Sequence, residues 1–176
     1  MFKVFFNSQL KSNKDLILII MDESLKLRDD IAKLDKKYDG IISDAIKNKS
    51  LGKKGGYKNL YLKKGKETKE IFLYNIGNEK DFSLDKADRA GGAIFSLIPN
   101  YVKSMSICIS INKKLKITSD ELAVNILHGL KLRSYNFYKY KMKSKNKYKS
   151  SLKEIELYVN NIASAKKYYN PLKALE

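Results

Sequence analysis

The chain has 176 residues, of which 43% are hydrophobic, and its formal net charge is +17. This length and hydrophobic content suffice for one domain with a buried core. The single cysteine, Cys108, excludes an internal disulfide framework and a cysteine-based zinc site. The positive charge favours an anionic partner such as nucleic acid, although the abundance of Asn, Ile and Tyr is also typical of an A/T-rich coding sequence.

Two short apolar runs near the N-terminus bear on targeting. The run MFKVFF is too short for the hydrophobic region of a signal peptide. The run LILIIM, residues 16–21, is much shorter than the roughly 20 residues that a membrane helix needs. We therefore expect a soluble, cytoplasmic protein with no membrane partner.

The first part of the sequence predicts two strands, a helical region and a hairpin. Residues 2–6 and the continuous apolar run 16–21 have the composition of strands, and the second run is typical of a strand covered on both faces. Apolar residues then recur at helical spacing on both sides of Gly40, which predicts two consecutive helices or one broken helix. Strands are next expected at 57–62 and 71–76, joined by the charged turn KKGKETK.

A helix and a strand are expected next. The segment SLDKADRAGGAIFSLI, residues 83–98, has apolar residues at helical spacing and is expected to end at Pro99. Its small residues predict close packing against a sheet. Residues 105–111 alternate bulky and small side chains, as a strand does.

The remaining elements complete an alternating pattern. Thr118 and Glu121 form a capping box ahead of a helix at about 119–134. A short strand near 155–159 and a terminal helix from about Ala163 follow. Because strands and helices alternate along most of the chain, we expect an α/β domain with helices on both faces of the sheet.

Few residues are candidates for catalysis or metal binding. The single histidine, His128, has no catalytic partner indicated by spacing, and we interpret it as a packed or surface residue. Cys108 is interpreted as a small buried hydrophobe, because no cationic neighbour in sequence would lower its pKa. The acidic clusters are interpreted as helix-start residues rather than metal ligands. These clusters are Asp22-Glu23, Asp29-Asp30 and Asp85 with Asp88.

The glycines do not form a nucleotide-binding motif. The pairs Gly55-Gly56 and Gly91-Gly92 fit neither the dinucleotide-binding nor the P-loop pattern. Gly77 closes a predicted strand and is a weak indication of a ligand at the carboxyl end of that strand.

A basic aromatic strip, YNFYKYKMKSKNKYKS at 135–150, follows the helix predicted at 119–134. In a nucleic-acid-binding segment its lysines would contact phosphates and its tyrosines would stack on bases. The same composition also fits a helix end followed by a solvated loop, with the aromatic residues covering the edge of the core. Composition leaves both interpretations open.

Two long segments carry a family resemblance. The first, IFLYNIGNEKDFSLDKADRAGGAIFSLI, combines a hydrophobic strand, a glycine-containing turn and an Arg-Ala-Gly helix; the second, LAVNILHGLKLRSYNFYKYKMK, is a glycine-bearing helix ending in Tyr-x-Phe-x-x-Tyr-Lys. Both resemble the N-terminal domain of leucyl (cytosol) aminopeptidases, and LGKKGGYKNLYL resembles it less distinctively. The residues at signature positions are Arg89, Gly91, Gly129, Arg133, Tyr135, Phe137, Tyr140 and Lys141.

The resemblance implies a macro-domain-like fold, with a mixed central sheet between helices. It implies an N-terminal domain at 1–161 and the start of an inter-domain connector helix at 162–176. The aromatic residues of the signature are then expected to pack against the sheet. The candidates for contacting anions are Lys141, Lys143, Lys145, Lys147 and Lys149.

The resemblance also implies that this domain and a C-terminal domain have different roles. In the family, peptidase activity resides in a C-terminal domain that holds two divalent metal ions, Mn or Zn, and its NTDAEGRL-type motif is absent here. We therefore expect a non-catalytic domain without a cofactor, inactive alone, that assists the assembly or regulation of a homo-hexamer together with its own C-terminal catalytic domain. The alternatives are a basic DNA-binding module and a macro-type module that binds ADP-ribose or another nucleotide.

Overall fold

A computed structural model describes residues 2–10, 13–47, 51–65, 67–78, 83–111, 117–135 and 151–173. Within these ranges the chain forms six strands and five helices, close to the predicted bounds. In chain order they are β1 (Lys3–Asn7), β2 (Leu16–Met21), α1 (Asp29–Lys37), α2 (Ile41–Lys47), β3 (Tyr57–Lys64), β4 (Glu67–Asn75), α3 (Leu84–Leu97), β5 (Ser104–Ser110), α4 (Ser119–Ser134), β6 (Glu154–Tyr158) and α5 (Ile162–Lys173).

The strands form one mixed sheet in the order β1-β6-β5-β2-β4-β3. All neighbouring pairs are parallel except the hairpin of β3 and β4, which is antiparallel. The register places Leu16 of β2 opposite Met105 of β5 and Glu70 of β4. The predicted mixed α/β architecture is confirmed.

Both faces of the sheet are covered by helices, and β2 runs through the centre with all its residues buried. Side chains alternate between the faces of a strand. Leu16, Leu18 and Ile20 therefore join the core formed with α3, α4 and α5. Ile17 and Ile19 join the second core, which α1 and α2 cover.

Helix α4 is enclosed on all sides, because every residue from 122 to 131 is buried. Thr118 caps the helix by accepting a hydrogen bond from the backbone N–H of Glu121 at 3.1 Å, as the capping box predicts. Helix α5 packs along α4, and the ammonium group of Lys131 donates to the hydroxyl of Tyr169 at 2.8 Å. Helix α5 is therefore anchored on α4.

The small face of α3 packs against a helix, whereas the sequence predicted packing against the sheet. A β-carbon built on Gly91 would lie 2.1 Å from the carbonyl oxygen of Ile126, and one built on Gly129 would lie 1.9 Å from the carbonyl oxygen of Asp88. Because glycine has no side chain, the backbones of α3 and α4 approach each other closely at these two positions. None of the helices in the described ranges is long and apolar enough to cross a membrane.

Candidate functional site

The carboxyl end of β4 is hydrogen-bonded to the neighbouring strand and to a loop. The backbone N–H of Ile76 donates to the carbonyl of Met21, the last residue of β2, at 2.9 Å. The side chain of Asn75 is fully buried. Its amide donates to the carbonyl of Leu51, and its oxygen accepts from the N–H of Gly77 at 2.8 Å. The start of the chain segment after β4 is therefore held in a fixed position.

Gly77 adopts a backbone conformation that favours glycine, with a φ angle of +93°. A β-carbon at this position would lie 3.0 Å from Cγ of Lys54, so the aliphatic part of the lysine lies against the glycine. Lys54 itself belongs to the loop before β3, which is joined to β4 by a hydrogen bond of 2.7 Å from Gly55 N–H to the carbonyl of Asn75. The absence of a side chain at Gly77 thus leaves room for Lys54 at the carboxyl end of β4.

A cavity of about 500 Å³ lies beside this lysine, between the end of β4 and helix α3. Its volume falls within the roughly 300–1,000 Å³ typical of small-molecule sites. We call it the α3 cavity. Its lining residues are Lys54, Gly55, Tyr74, Ile76, Lys86, Ala87, Arg89, Ala90, Ala93, Leu122 and Ile126.

The α3 cavity exists because the helix presents short side chains to it. Ala87, Ala90 and Ala93 recur every three residues on one side of α3, and a methyl group fills little of the space between the helix and β4. Two exposed cationic residues of the same helix, Lys86 and Arg89, flank these alanines. The cavity therefore combines an apolar wall with positive charge.

Tyr74 contributes a buried hydroxyl-bearing side chain to the wall of the α3 cavity and is only 6% exposed. Within the part of the chain that the structure describes, its hydroxyl has no hydrogen-bond partner. Burial raises the pKa of Tyr74 above its ordinary value, so the hydroxyl stays protonated at neutral pH. It is therefore available both to donate and to accept a hydrogen bond.

His128 has a carboxylate partner that spacing did not reveal. Its Nδ1 lies 3.1 Å from Oδ1 of Asp88 on α3, and the histidine is 7% exposed. Its Nε2 is buried and has no hydrogen-bond partner among the described residues. Because Asp88 and His128 flank the close approach at Gly129, the pair lies in the helix interface. His128 was interpreted as a packed or surface residue, and the structure shows that it is packed.

Cys108 is completely buried in β5, and its thiol lies 3.4 Å from the carbonyl oxygen of Leu18. Burial raises the pKa of this thiol well above its usual range, so the thiolate needed for nucleophilic attack does not form at neutral pH. The interpretation as a small buried hydrophobe is confirmed.

Comparison with known proteins adds the family. Residues 17–144 match the family model described as the cytosol aminopeptidase family, N-terminal domain. The chain belongs to the cytosol aminopeptidase family. It is 31% identical over 145 residues to a probable cytosol aminopeptidase of Rickettsia bellii, covering 80% of this chain and 29% of that protein. It is 32% identical over 142 residues to the probable cytosol aminopeptidase of Rickettsia canadensis, with 78% and 28% covered.

The fold is shared with two solved structures of larger proteins. A tomato leucine aminopeptidase mutant superposes with a TM-score of 0.74 at 16% identity, over 98% of this chain and 36% of that one. The bottromycin maturation enzyme BotP, in complex with Mn, superposes with a TM-score of 0.56 at 9% identity, over 92% and 30% of the two chains. The chain thus corresponds to the N-terminal domain of the cytosol aminopeptidase family and spans about 29% of the length of its curated relatives.

The structure places five of the cytosol aminopeptidase signature residues, and they do not form one site. Gly91 and Gly129 lie in the contact between α3 and α4. Arg89 is exposed at the α3 cavity and pairs with Asp85 at 3.1 Å. Arg133 is exposed near the end of α4.

Tyr135 was expected to pack against the sheet, and this prediction was wrong, because 62% of the residue is exposed. Tyr135 is the C-cap of α4, where the backbone leaves the helix with extended torsion angles. Its side chain therefore no longer follows the buried face of the helix. The remaining predicted residues lie outside the described residues: Phe137, Tyr140, Lys141, Lys143, Lys145, Lys147 and Lys149.

The described residues contain no group of three or more His, Cys, Asp or Glu side chains placed to hold a metal ion. Asp30 instead pairs with Arg28, whose Nη2 lies 2.7 Å from its carboxylate. Asp22 follows β2 and accepts from the N–H of Ser24 at 2.9 Å, so its interpretation as a helix-start residue was wrong. Acidic residues occur both in the turn after a strand and in the first turn of a helix, so Asp22 alone does not distinguish the two.

Sequence reasoning missed the cationic residues Lys54 and Lys86 and the buried Tyr74 of the α3 cavity. The alanine spacing on α3 is visible in the sequence, but it also fits simple close packing. Only the position of the loop before β3 shows that Lys54 lies opposite the alanines.

Proposed function

We propose that this chain is the non-catalytic N-terminal domain of a cytoplasmic two-metal leucyl aminopeptidase, which releases N-terminal residues from peptides. The family match over residues 17–144 carries the proposal. The relatives called cytosol aminopeptidases are more than three times longer than the aligned part of this chain, which spans 29% of one of them. The rest of such a protein would supply the catalytic domain.

The chemistry of the reaction explains why a separate catalytic domain would be needed. Two-metal peptide hydrolysis needs two adjacent cations to activate water and to polarise the scissile carbonyl. Such cations are held by clustered carboxylates, and the described residues provide no such cluster. A C-terminal domain would therefore hold the two ions, Mn or Zn; Mn is the metal named for the BotP complex.

A role in assembly or regulation is consistent with the placement of α5. We propose that residues 1–161 form the domain proper and that 162–176 begin the connector to the catalytic domain. Helix α5 is anchored by the buried residues Ala165 and Tyr169. A connector anchored in this way would fix the orientation of the next domain, which a homo-hexameric parent requires.

The direct test is an aminopeptidase assay of the purified 176-residue chain. We expect no release of leucine from leucyl-p-nitroanilide with Mn²⁺ or Zn²⁺, whereas a complete cytosol aminopeptidase, assayed in parallel, releases it. Metal-dependent turnover by the chain alone would contradict the proposal. Light scattering of the chain, and of a version extended by its downstream reading frame, tests assembly: we expect hexamers only of the extended version.

The net charge of +17 favours a second candidate function, binding of duplex DNA. Binding through lysines would release counterions and would weaken steeply as salt increases. We expect joint replacement of Lys141, Lys143, Lys145 and Lys147 by Gln to reduce binding in a mobility-shift assay. Undetectable or salt-insensitive binding at low ionic strength would dismiss this candidate.

A further inference from the structure

We propose that the α3 cavity binds a small organic anion, that is, a molecule with one anionic head group and an apolar body. Such a ligand is not the peptide substrate of a catalytic domain, and the cavity lies entirely within this chain. The charge at the cavity, the composition of its wall and the unpaired hydroxyl of Tyr74 support the proposal independently.

The charge of the α3 cavity selects an anion. Lys54 approaches from the loop before β3, while Lys86 and Arg89 approach from α3, so positive charge comes from two sides. Among the described residues that line the cavity, none carries a carboxylate. Arg89 pairs with Asp85 on the exposed surface of the helix, where such pairs are weak and exchange readily. A ligand with a free ammonium group would be repelled by these three cationic side chains.

The wall of the α3 cavity selects an apolar body. Ile76, Leu122 and Ile126 form its buried part, and the alanines of α3 form the opposite side. Moving apolar surface from water onto these side chains is favourable. A small hydrated ion such as inorganic phosphate would lose water without gaining this contact, so charge alone is not enough for tight binding.

Tyr74 supplies a directional contact. The Tyr74 hydroxyl has no hydrogen-bond partner within the described residues, and it is not among their fully buried unpaired polar atoms, so it is accessible from the α3 cavity. It is part of the lining of the α3 cavity, so a bound ligand can provide the missing partner. The protonated hydroxyl would donate to an oxygen of the anionic head group.

Titration calorimetry of the 176-residue chain tests the proposal with matched probes. N-acetyl-L-leucine carries a carboxylate on an apolar body, and N-acetyl-L-leucinamide has nearly the same shape without the charge. Phenyl phosphate changes the head group, and inorganic phosphate removes the apolar body. We expect saturable binding of the carboxylate, of phenyl phosphate or of both, and binding at least about tenfold weaker for the amide and for inorganic phosphate, as expected for loss of a charge-assisted contact.

Variants locate the binding in the α3 cavity. Ala90→Leu fills the space and is expected to abolish binding, while a helix readily accommodates leucine. The double change Lys86→Gln with Arg89→Gln should weaken binding about tenfold, and Tyr74→Phe, which removes only the hydroxyl, should weaken it about fivefold. The matched control is Lys36→Gln, because Lys36 is an exposed lysine of α1 on the opposite face of the sheet. Circular dichroism and thermal unfolding verify that each variant is folded.

Several outcomes would overturn the proposal. Equal affinity for N-acetyl-L-leucine and its amide would show that charge is not recognised. Equal affinity for inorganic phosphate, or absence of saturable binding to all four probes, would also contradict it, as would a folded Ala90→Leu variant that binds normally. ADP-ribose serves as a fifth probe: tighter binding of ADP-ribose than of the small anions would identify a nucleotide site instead. Because no catalysis is measured, failure here leaves the proposed aminopeptidase parent untouched.

Discussion

Gly91 of α3 lies against the backbone of Ile126 in α4, so closely that a β-carbon on the glycine would be 2.1 Å from the isoleucine carbonyl oxygen. Real β-carbons do not approach other atoms this closely. Gly129 makes the reciprocal contact from α4, 1.9 Å from the carbonyl oxygen of Asp88. Two glycines therefore set the separation of the helices that cover one face of the sheet.

Replacing either glycine should force the helices apart. We expect Gly91→Ala or Gly129→Ala to lower the free energy of unfolding by about 3 kcal/mol, because backbone atoms cannot move aside as a flexible side chain can. For a chain of this size the melting temperature would fall by about 6–12 °C. Calorimetric or urea-induced unfolding measures the loss.

Gly92 provides the matched control for these replacements. It lies in the same helix, but the nearest atoms to an added β-carbon are at 3.9 Å, which is an ordinary contact. Since alanine favours helix formation over glycine, we expect Gly92→Ala to stabilise the chain by about 0.5–1 kcal/mol. Equal destabilisation by all three changes would show that helix crossing is not the cause.

The ion pair between Arg28 and Asp30 predicts a pH dependence of stability. Burial would raise the pKa of Asp30, but the hydrogen bonds and positive charge of Arg28 outweigh it, so the pKa is lowered on folding. The pair therefore stabilises the fold fully above the ordinary Asp pKa of about 4, and this contribution is lost as pH falls through the lower folded-state value. Asp30→Asn should cost about 1 kcal/mol at pH 7 and less at pH 3.

Urea-induced unfolding at pH 7, 5 and 3 tests the Asp30 prediction. Asp44→Asn is the control, because the partner of Asp44 is Lys47 in an exposed pair within α2, and its removal should change stability little. If Asp30→Asn cost as much at pH 3 as at pH 7, its effect would not come from the ion pair.

An isosteric replacement of Asn75 tests the hydrogen bonds that hold the carboxyl end of β4. Asn75→Asp keeps an acceptor for the N–H of Gly77 but loses the amide that donates to the carbonyl of Leu51. We expect a loss of about 3 kcal/mol at pH 7, because an ionised carboxylate would be buried beside a carbonyl oxygen. Protonation restores a donor, so the loss should shrink as pH falls towards 4.

Unfolding measured at pH 7 and pH 4 checks the Asn75 prediction. Asn59→Asp is a suitable comparison, since Asn59 is exposed on β3. That change should be nearly neutral at both values. If Asn75→Asp destabilised the chain equally at both pH values, the charge of the carboxylate beside the Leu51 carbonyl would not be the cause.

Local signals explain how far the fold could be predicted from the sequence. The capping box at Thr118 and Glu121 marks the start of α4, and the apolar run 16–21 gives the exact bounds of β2. Both depend on neighbours within a few positions. The resemblance to cytosol aminopeptidases likewise depends on contiguous segments, and the family match confirms it.

Long-range contacts account for what the sequence did not reveal. His128 and Asp88 are 40 positions apart, and no local spacing indicates that α3 and α4 cross at that point. The α3 cavity needs Lys54 from one loop and Arg89 from a helix, which only the packing of β4 brings together. Tyr135 was misjudged because its exposure depends on the residue at which α4 ends.

The pairing of β1 with β6 has a consequence for biosynthesis. Lys3 lies opposite Glu154 and Asn7 opposite Tyr158. The first strand to leave the ribosome therefore cannot pair until β6, the last strand of the sheet, has been synthesised. Until β6 is made, β5 presents an open strand edge and β1 has no neighbour. Such edges invite wrong pairing with other nascent chains. The interval between the emergence of β5 and of β6 is therefore the stage of synthesis at which wrong strand pairing is most favoured.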